Sequence, residues 1–388
     1  MVRSPRTIHE AHVPPVDDHA AEATAGILPS AAADVRLLEI PGGDAVHAAN
    51  RSIQALRPAR DMTYAALDLG TNNCRLLVAR PSSDGFRVVD AFSRIVRLGE
   101  GLGASDRLRD AAIARTIEAL KVCRSKMEAR GVSRSRLIAT EACRAAVNGG
   151  EFIARVREEA DLDLEVVDRE TEARLAVAGC AGLADPQAEG VVLFDIGGGS
   201  SELVWLDGHR RGRQLPDRVR AWTSLPVGVV TLAERHGGVE VTRESFEGMV
   251  AEVVGMLAEF VAELRGVAGC GRFHLLGTSG TVTTIAGVHL DLPRYDRRRV
   301  DGLWMENDDV AAVMDRLLGM SFRQRAANPC IGNERADLVL AGCAILEAIR
   351  RAFPSDRLRI ADRGLREGIL MQLMSEDGVW MTRRGRHA

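Results

Sequence analysis

One supersecondary unit occurs twice in this chain, and the repeat limits which folds are possible. The segment from Asp68, Asp-Leu-Gly-Thr-Asn-Asn-Cys-Arg-Leu-Leu, aligns without a gap to the segment from Asp195, Asp-Ile-Gly-Gly-Gly-Ser-Ser-Glu-Leu-Val. Each copy follows an apolar run, which predicts a strand that ends in aspartate, a turn of small residues and a returning strand. Repetition of the whole unit indicates an α/β chain of two duplicated domains whose turns face one cleft.

A third glycine-rich turn, Gly277-Thr-Ser-Gly, follows another apolar strand and precedes a helix. Glycine lets the backbone approach an anion closely, so that its N–H groups hold phosphate without a lysine. Neither of the two lysines, Lys121 and Lys126, stands in a Walker-type loop. The three turns therefore predict a phosphate-binding cleft, and its candidate residues are Gly70, Thr71, Asn72, Gly197, Gly198, Gly199, Ser200, Gly277, Ser279 and Gly280.

Acidic residues at the same turns predict a cation site. Asp68, Asp195 and Glu202 are placed to hold a cation beside bound phosphates, and Mg²⁺ takes only one or two carboxylates in such sites. Hydrolysis also needs a group that orients the attacking water, for which Glu172 is the candidate. Position alone favours a simpler explanation, in which Glu172 complements the dipole of its helix. An arginine in the position of Arg144 is likewise more often a surface charge unless it faces the cleft, so spacing alone does not settle the role of either residue.

The remaining patterns give a domain organisation. Residues 1–60 predict a disordered extension with one short helix near Val46–Leu56. Residues 61–185 predict the first domain and 186–356 the second, with a helix over about 357–376 that packs back on the first and a tail over 377–388. Among the predicted helices are Asp106–Arg130, Thr171–Ala184 and Arg335–Ala352.

Composition excludes several classes of protein. A net charge of −3 argues against a nucleic-acid partner, and no apolar stretch is long enough to cross a membrane. The N-terminus lacks the apolar core of a secretory signal. The seven cysteines form no CxxC pair or zinc-ligand spacing, which indicates reduced thiols. Together these features predict a cytoplasmic protein with neither nucleic-acid nor membrane partners.

From about Tyr64 to Leu373 the chain resembles the Ppx/GppA family of exopolyphosphatases and guanosine pentaphosphate phosphohydrolases. The motifs that carry the resemblance stand in the family order: Ala66-Leu-Asp-Leu-Gly-Thr-Asn-Asn, Arg97-Leu-Gly-Glu-Gly-Leu, Ala139-Thr-Glu-Ala-Cys-Arg, Glu172-Ala-Arg-Leu, Phe194-Asp-Ile-Gly-Gly-Gly-Ser-Ser-Glu-Leu, Gly277-Thr-Ser-Gly-Thr, Glu334-Arg-Ala-Asp-Leu and Asp362-Arg-Gly-Leu-Arg-Glu-Gly. The resemblance implies the actin-like/Hsp70/sugar-kinase superfamily, with two ribonuclease-H-like domains around a cleft.

The resemblance also implies roles for single residues. Glu172 becomes the catalytic base, Arg144 a phosphate contact, and Asp195 and Glu202 the magnesium-site residues. Asp68 is expected at the first phosphate turn. Long family members carry a further domain whose metal site needs a His-Asp dipeptide, and this chain has none. We therefore expect the short, two-domain form, with a homodimer as a possible assembly.

Two substrates and two other function classes stay open at this stage. The leading hypothesis is release of orthophosphate from inorganic polyphosphate, and the alternative is hydrolysis of pppGpp to ppGpp. Only two tyrosines are present, so an aromatic platform for a guanine base is not evident. An ATP-dependent kinase on the same fold is disfavoured by Glu172-Ala-Arg-Leu, which fits the phosphatase family. A non-catalytic polyphosphate or nucleotide sensor is the remaining alternative.

Overall fold

The computed structural model describes residues 61–83, 85–208, 218–265 and 272–380. The predicted extension, its short helix near Val46–Leu56 and the tail beyond residue 380 lie outside these ranges. The strands are β1 Tyr64–Leu69, β2 Asn73–Ser82, β3 Gly85–Ile95, β4 Arg134–Ala139, β5 Glu165–Val166, β6 Gly190–Ile196, β7 Ser201–Asp207, β8 Val219–Leu225, β9 Phe273–Thr278, β10 Trp304–Glu306 and β11 Arg357–Ile360.

The described helices lie between and after these groups of strands. They are α1 Leu102–Ser105, α2 Asp110–Ala129, α3 Glu141–Ala145, α4 Gly149–Ala160, α5 Arg169–Cys180, α6 Val229–His236, α7 Arg243–Arg265, α8 Ser279–His289, α9 Arg297–Val300, α10 Asn307–Leu318, α11 Phe322–Ala327, α12 Val339–Ala352 and α13 Leu365–Glu376. Within the described ranges, no helix is both long and apolar enough to cross a membrane.

The strands form two sheets with the same central arrangement. The first has the order β3-β2-β1-β4-β5, and the second has the order β10-β11-β9-β6-β7-β8. In the first sheet β1 pairs antiparallel with β2 and parallel with β4. In the second sheet β6 pairs antiparallel with β7 and parallel with β9. The predicted fold class is confirmed, because each copy of the repeat is the central hairpin of its own α/β sheet.

Each sheet has its own apolar core. Leu67, Leu76 and Phe152 belong to a cluster that β1 and β2 form with α2 and α4. Phe194 and Leu203 belong to a larger cluster that the second sheet forms with α7, α8 and α12. The apolar residues of β1 and β6 are buried on both faces, as expected for central strands covered by helices.

Helices α5 and α13 pack closely against each other at the join between the two sheets. A Cβ on Gly179 would lie 1.9 Å from the backbone oxygen of Gly364, and one on Gly368 would lie 2.0 Å from that of Leu175. Glycine is therefore required at both crossing points. Helix α13 also packs on β1 through Ile369 and Leu370, which share a buried cluster with Tyr64.

Three predicted helix boundaries were wrong. The helix expected over about 357–376 begins only at Leu365, because Arg357–Ile360 forms β11 beside β9 in the second sheet. The helix expected from Asp106 begins at Asp110, since Asp106 has a positive φ of 51° and ends the short α1. The helix expected from Arg335 begins at Val339 after a turn.

The helix predicted over Thr171–Ala184 is displaced towards the N-terminus and becomes α5. The Asp168 carboxylate accepts a hydrogen bond from the Thr171 N–H at 2.7 Å and caps the helix, which places Glu172 in its first turn. After Cys180 the chain tightens into a 3₁₀ turn over Ala181–Leu183.

Several hydrogen bonds join the two domains across the cleft. The Arg97 guanidinium donates to both carboxylate oxygens of Asp337 at 2.9 Å. The Gly101 N–H donates to Glu234 Oε1 at 2.7 Å. Because Arg97 and Gly101 follow β3 whereas Glu234 and Asp337 belong to the second half, these bonds fix the positions of the two central hairpins relative to each other.

Candidate active site

The turns of the two central hairpins meet face to face. Each turn closes with the same backbone hydrogen bond, from Gly70 N to Asn73 O at 2.9 Å and from Gly197 N to Ser200 O at 3.0 Å. A Cβ on Gly198 would lie 2.9 Å from the Thr71 Cβ. One on Gly199 would lie 2.7 Å from Thr71 Oγ1. The glycines of the second turn are therefore needed for its contact with the first.

The third turn lies beside the second hairpin, because Thr278 at the end of β9 is paired in register with Asp195. Ser279 has a positive φ of 81°, a conformation that is uncommon outside glycine and concentrates at functional sites. A Cβ on Gly280 would lie 3.9 Å from Arg75 Nη2, so this turn also faces the first hairpin. All three predicted phosphate turns thus border one cleft.

Asp195 and Glu202 form a pair of carboxylates on neighbouring strands. They are directly opposite each other in the β6–β7 pairing, so both side chains leave the same face of the sheet. Burial and the nearby charge of Asp68 raise the pKa of Asp195 to about 6. Burial and the charge of Asp195 raise the pKa of Glu202 to about 7. The Ser224 hydroxyl donates to Glu202 Oε1 at 2.9 Å and fixes that side chain.

This carboxylate pair fits a magnesium ion that is shared with a phosphate ligand. Within the described ranges, no group of three or more His, Cys, Asp or Glu side chains is arranged to hold a metal by itself. Mg²⁺ commonly takes one or two carboxylates and completes its shell with water and substrate phosphates. A dication beside Asp195 and Glu202 would favour the ionised form of both carboxylates and so oppose the effect of burial on their pKa values.

Glu172 lies beside this pair and is bonded to Arg144. Arg144 Nη2 donates to Glu172 Oε2 at 2.8 Å, while its Nη1 donates to the Val167 backbone oxygen at 2.7 Å. Burial and the charge of Glu202 raise the pKa of Glu172 well above its ordinary value, and Arg144 offsets only part of this rise. The structure thus brings the two predicted catalytic residues into direct contact, and their roles stay predictions.

Asp68 has a different partner, which sequence reasoning missed. It is directly opposite Arg75 in the β1–β2 pairing, at the position that Glu202 occupies in the other copy. Burial raises the pKa of Asp68, and the positive charges of Arg75 and Arg366 oppose that rise. The signal was present in the gap-free alignment of the repeats, where arginine stands in one copy and glutamate in the other.

Two further charged residues of the cleft were also missed. Glu141, at the start of α3, accepts hydrogen bonds from Arg144 Nη2 at 2.8 Å and from Arg169 Nη2 at 2.7 Å. Its carboxylate therefore joins two arginines beside Glu172. Burial opposes ionisation of Glu141, but the two arginines outweigh it and lower its pKa. No spacing in the sequence connects α3 to α5, so folding alone reveals this cluster.

Comparison with known proteins identifies the family. The Ppx/GppA phosphatase family profile matches residues 77–377. The chain belongs to the Ppx/GppA phosphatase family. Exopolyphosphatase 2 of Mycobacterium tuberculosis is 30% identical to this chain over 325 residues. The match covers 80% of this chain and 98% of the mycobacterial protein. The resemblance inferred from the motifs is therefore confirmed.

Other relatives carry different names or extend further. The guanosine-5′-triphosphate,3′-diphosphate pyrophosphatase of Aeromonas hydrophila is 28% identical over 315 residues, which cover 81% of this chain but only 60% of that protein. The crystal structure of the Aquifex aeolicus Ppx/GppA member superposes with a TM-score of 0.65 at 29% identity, covering 81% of this chain and 98% of that one. An exopolyphosphatase structure from Cytophaga hutchinsonii gives a TM-score of 0.73 at 22% identity, with 81% and 98% coverage, and shows the shared fold.

Proposed function

We propose that this chain is a magnesium-dependent exopolyphosphatase, which releases orthophosphate from the end of inorganic polyphosphate. The observation that carries the proposal is the position of Glu172, a carboxylate that is 15% exposed, has a raised pKa, and lies beside the Asp195–Glu202 pair and the three predicted phosphate turns. A general base is most effective when its pKa lies near the working pH. The family match and the exopolyphosphatase relative support the same reaction.

The residues of the cleft divide the work of hydrolysis. Backbone N–H groups of the three turns and Arg144 hold the terminal phosphoryl group, and Arg144 also orients Glu172 through their hydrogen bond. Glu172 accepts a proton from water as the water oxygen bonds to the terminal phosphorus. The bond from that phosphorus to the bridging oxygen breaks, and the shortened chain leaves with the bridging oxygen. Bound Mg²⁺ supplies charge that neutralises the phosphate oxygens.

The second candidate substrate is pppGpp, which offers the same terminal phosphoanhydride. The Aeromonas hydrophila relative, whose name describes a pyrophosphatase of the guanosine compound, is the observation that keeps this candidate in view. Cytoplasmic location and homodimerisation stay predictions alongside it. A sensor that binds polyphosphate without turnover has the same cleft and differs only in reactivity.

The direct test compares orthophosphate release from long polyphosphate, tripolyphosphate and pppGpp, each with Mg²⁺. We expect polyphosphate to give the highest kcat/KM. A higher kcat/KM for pppGpp would favour the second candidate substrate. No orthophosphate release from any of the three would favour the non-catalytic sensor. Glu172→Gln is expected to lower kcat by about 1000-fold.

The matched control for that variant is Glu170→Gln. Glu170 stands in the same first turn of α5, but it is exposed and bonded to Arg174 rather than to Arg144. Its replacement should leave kcat unchanged. If Glu172→Gln retained the activity of Glu170→Gln, then Glu172 would not be the base.

A further inference from the structure

Arg169 is an arginine of the cleft to which neither the resemblance nor the predicted catalytic set gives a role. It is the first residue of α5, and its guanidinium lies against the Glu141 carboxylate, with Nη2 to Oε1 at 2.7 Å and Nε to Oε2 at 3.2 Å. Glu141 is also bonded to Arg144, which is bonded to Glu172. Arg169 is therefore the outermost residue of a series of ion pairs that runs through Glu141 and Arg144 to Glu172, the proposed base.

The two arginines of this chain differ in how many donors are already used. An arginine carries five N–H donors. Arg144 makes four hydrogen bonds: two to Glu141, one to Glu172 and one to the Val167 backbone oxygen. Arg169 makes two hydrogen bonds, both to Glu141, and its other donors have no partner within the described part of the chain. Arg169 thus has more capacity to bind an incoming anion.

The two arginines also differ in depth. The Arg169 side chain is 43% exposed, whereas the Arg144 side chain is 16% exposed. Arg169 is nonetheless beside the phosphate turns, because the Glu141 Cγ that supports it lies 3.2 Å from where a Cβ on Gly199 would stand. The hydrogen-bonded Glu141 carboxylate raises the pKa of Arg169, and the charge of Glu202 across the cleft makes a smaller contribution in the same direction. Arg169 therefore lies nearer to solvent than Arg144 in the same cleft.

We propose that Arg169 is a second phosphate-binding arginine, which contacts the phosphoryl group next to the terminal one in a condensed phosphate chain. Its planar fork remains fixed on one side by Glu141 and presents the other donors to phosphate oxygens. This inference rests on the proposed function, because it assigns the terminal phosphoryl group to the deeper position beside Glu172. Orthophosphate, which has no second phosphoryl group, would not use Arg169.

The test measures binding rather than turnover. Tripolyphosphate and orthophosphate are titrated by calorimetry into the full chain in metal-free buffer, with wild type, Arg169→Gln, Arg169→Lys and Arg174→Gln compared. Arg174 is the matched control, since it is exposed on the same helix and bonded to Glu170. We expect Arg169→Gln to weaken tripolyphosphate binding by about tenfold and leave orthophosphate binding unchanged. The tripolyphosphate affinity of Arg169→Lys should lie between those of wild type and Arg169→Gln, since lysine keeps the charge but lacks the planar guanidinium group.

A purely structural role for Arg169 predicts another pattern. The variant would then lower the unfolding temperature and leave tripolyphosphate affinity equal to that of Arg174→Gln, and this result would overturn the inference. Equal weakening of orthophosphate and tripolyphosphate would also overturn it, because the contact would then be with the terminal group. Failure of the proposed function is a separate outcome, recognised when wild type binds tripolyphosphate but releases no orthophosphate with Mg²⁺.

Discussion

The two central hairpins share one backbone arrangement and differ in the charge that lies opposite their shared aspartate. In the first, Asp68 is opposite Arg75, and in the second, Asp195 is opposite Glu202, at the same place in the strand register. The charge of Arg75 opposes the rise that burial causes in the pKa of Asp68, whereas the charge of Asp195 adds to the rise in the pKa of Glu202. A cation is therefore better accommodated by the second pair. The residue opposite the shared aspartate is therefore the position at which the proposed magnesium site of the second hairpin differs from the first hairpin.

The surroundings of the hairpins extend this difference. On the side of the first hairpin, burial alone would raise the pKa of Glu367, but the charges of Arg297 and Arg366 outweigh it and lower the pKa to about 2. On the side of the second hairpin, the pKa of the equally buried Glu202 rises to about 7. Two buried glutamates of one cleft therefore have opposite shifts, because one faces arginines and the other faces carboxylates.

Among changes in and around the two hairpins, the largest expected effect comes from neutralising Glu202, the acid that distinguishes the second hairpin. Glu202→Gln should lower kcat by about 100-fold or more at a fixed Mg²⁺ concentration, because one of the two carboxylates of the metal site is lost. The measurement is orthophosphate release over a range of Mg²⁺ concentrations. Asp207→Asn, on the same strand but at its other end, serves as the control and should change neither kcat nor the Mg²⁺ dependence. Equal Mg²⁺ dependence in wild type and Glu202→Gln would remove the distinction between the hairpins.

The next largest effect is expected on stability, at Glu367 and the two arginines beside it, Arg297 and Arg366. Glu367→Gln should lower the free energy of unfolding by about 3 kcal/mol at pH 7, since it leaves Arg297 and Arg366 without their shared anion. The folded-state pKa of Glu367 is depressed from its ordinary 4.5 to about 2. Its stabilisation is therefore complete above pH 4.5 and is lost as pH falls towards 2.

Urea unfolding of wild type and Glu367→Gln at pH 7, 4 and 2.5 checks this sign. The difference between the two proteins should shrink as pH falls. Glu263→Gln, at an exposed position on α7, is the control and should match wild type throughout. A difference that stayed constant down to pH 2.5 would show that shape rather than charge makes Glu367 stabilising.

A smaller effect is expected at the arginine of the first hairpin. Arg75→Gln should raise KM for polyphosphate by about tenfold, because a charge that faces the third turn is lost. The Mg²⁺ concentration for half-maximal activity should remain that of wild type. Arg80→Gln, at an exposed position on the same strand, controls for the loss of one positive charge. A shift in the Mg²⁺ dependence of Arg75→Gln would mean that the first hairpin also sets the metal site.

The smallest effect concerns the contact that holds the hairpins in register across the cleft. The side chains of Arg97 and Asp337 are 31% and 24% exposed, and their hydrogen bonds are bidentate. A double-mutant cycle of Arg97→Gln and Asp337→Asn should give a coupling of about 1 kcal/mol in the free energy of unfolding. A coupling near zero would show that the two domains are held together by other contacts.

Much of the cleft was predictable because its elements are local in sequence. The two hairpins and the third turn each carry their strand, acid and glycines within a short segment, and the gap-free repeat links the first two. The β11 strand was missed, although Arg357-Leu-Arg-Ile alternates polar and apolar residues with the period of a strand. A longer helix signal immediately after it, in α13, hid that alternation.

Contacts between distant segments were beyond sequence reasoning. Glu141 belongs to α3 and Arg169 to α5, and only the packing of the two helix starts brings their charges to hydrogen-bonding distance. Glu172 likewise lacked a decisive signal, because an acid in a first helical turn complements the helix dipole in any protein. Burial and the neighbouring Glu202 distinguish it, and both are properties of the folded chain.

Direct binding of Mg²⁺ is the measurement that tests the central claim most simply. Mg²⁺ is titrated by calorimetry into metal-free wild type, Glu202→Gln and Asp68→Asn at pH 8, where the acids of the second hairpin are ionised. The division between the hairpins predicts at least a tenfold loss of affinity in Glu202→Gln. It predicts little change in Asp68→Asn. Equal losses in both variants, or a loss confined to Asp68→Asn, would contradict the account.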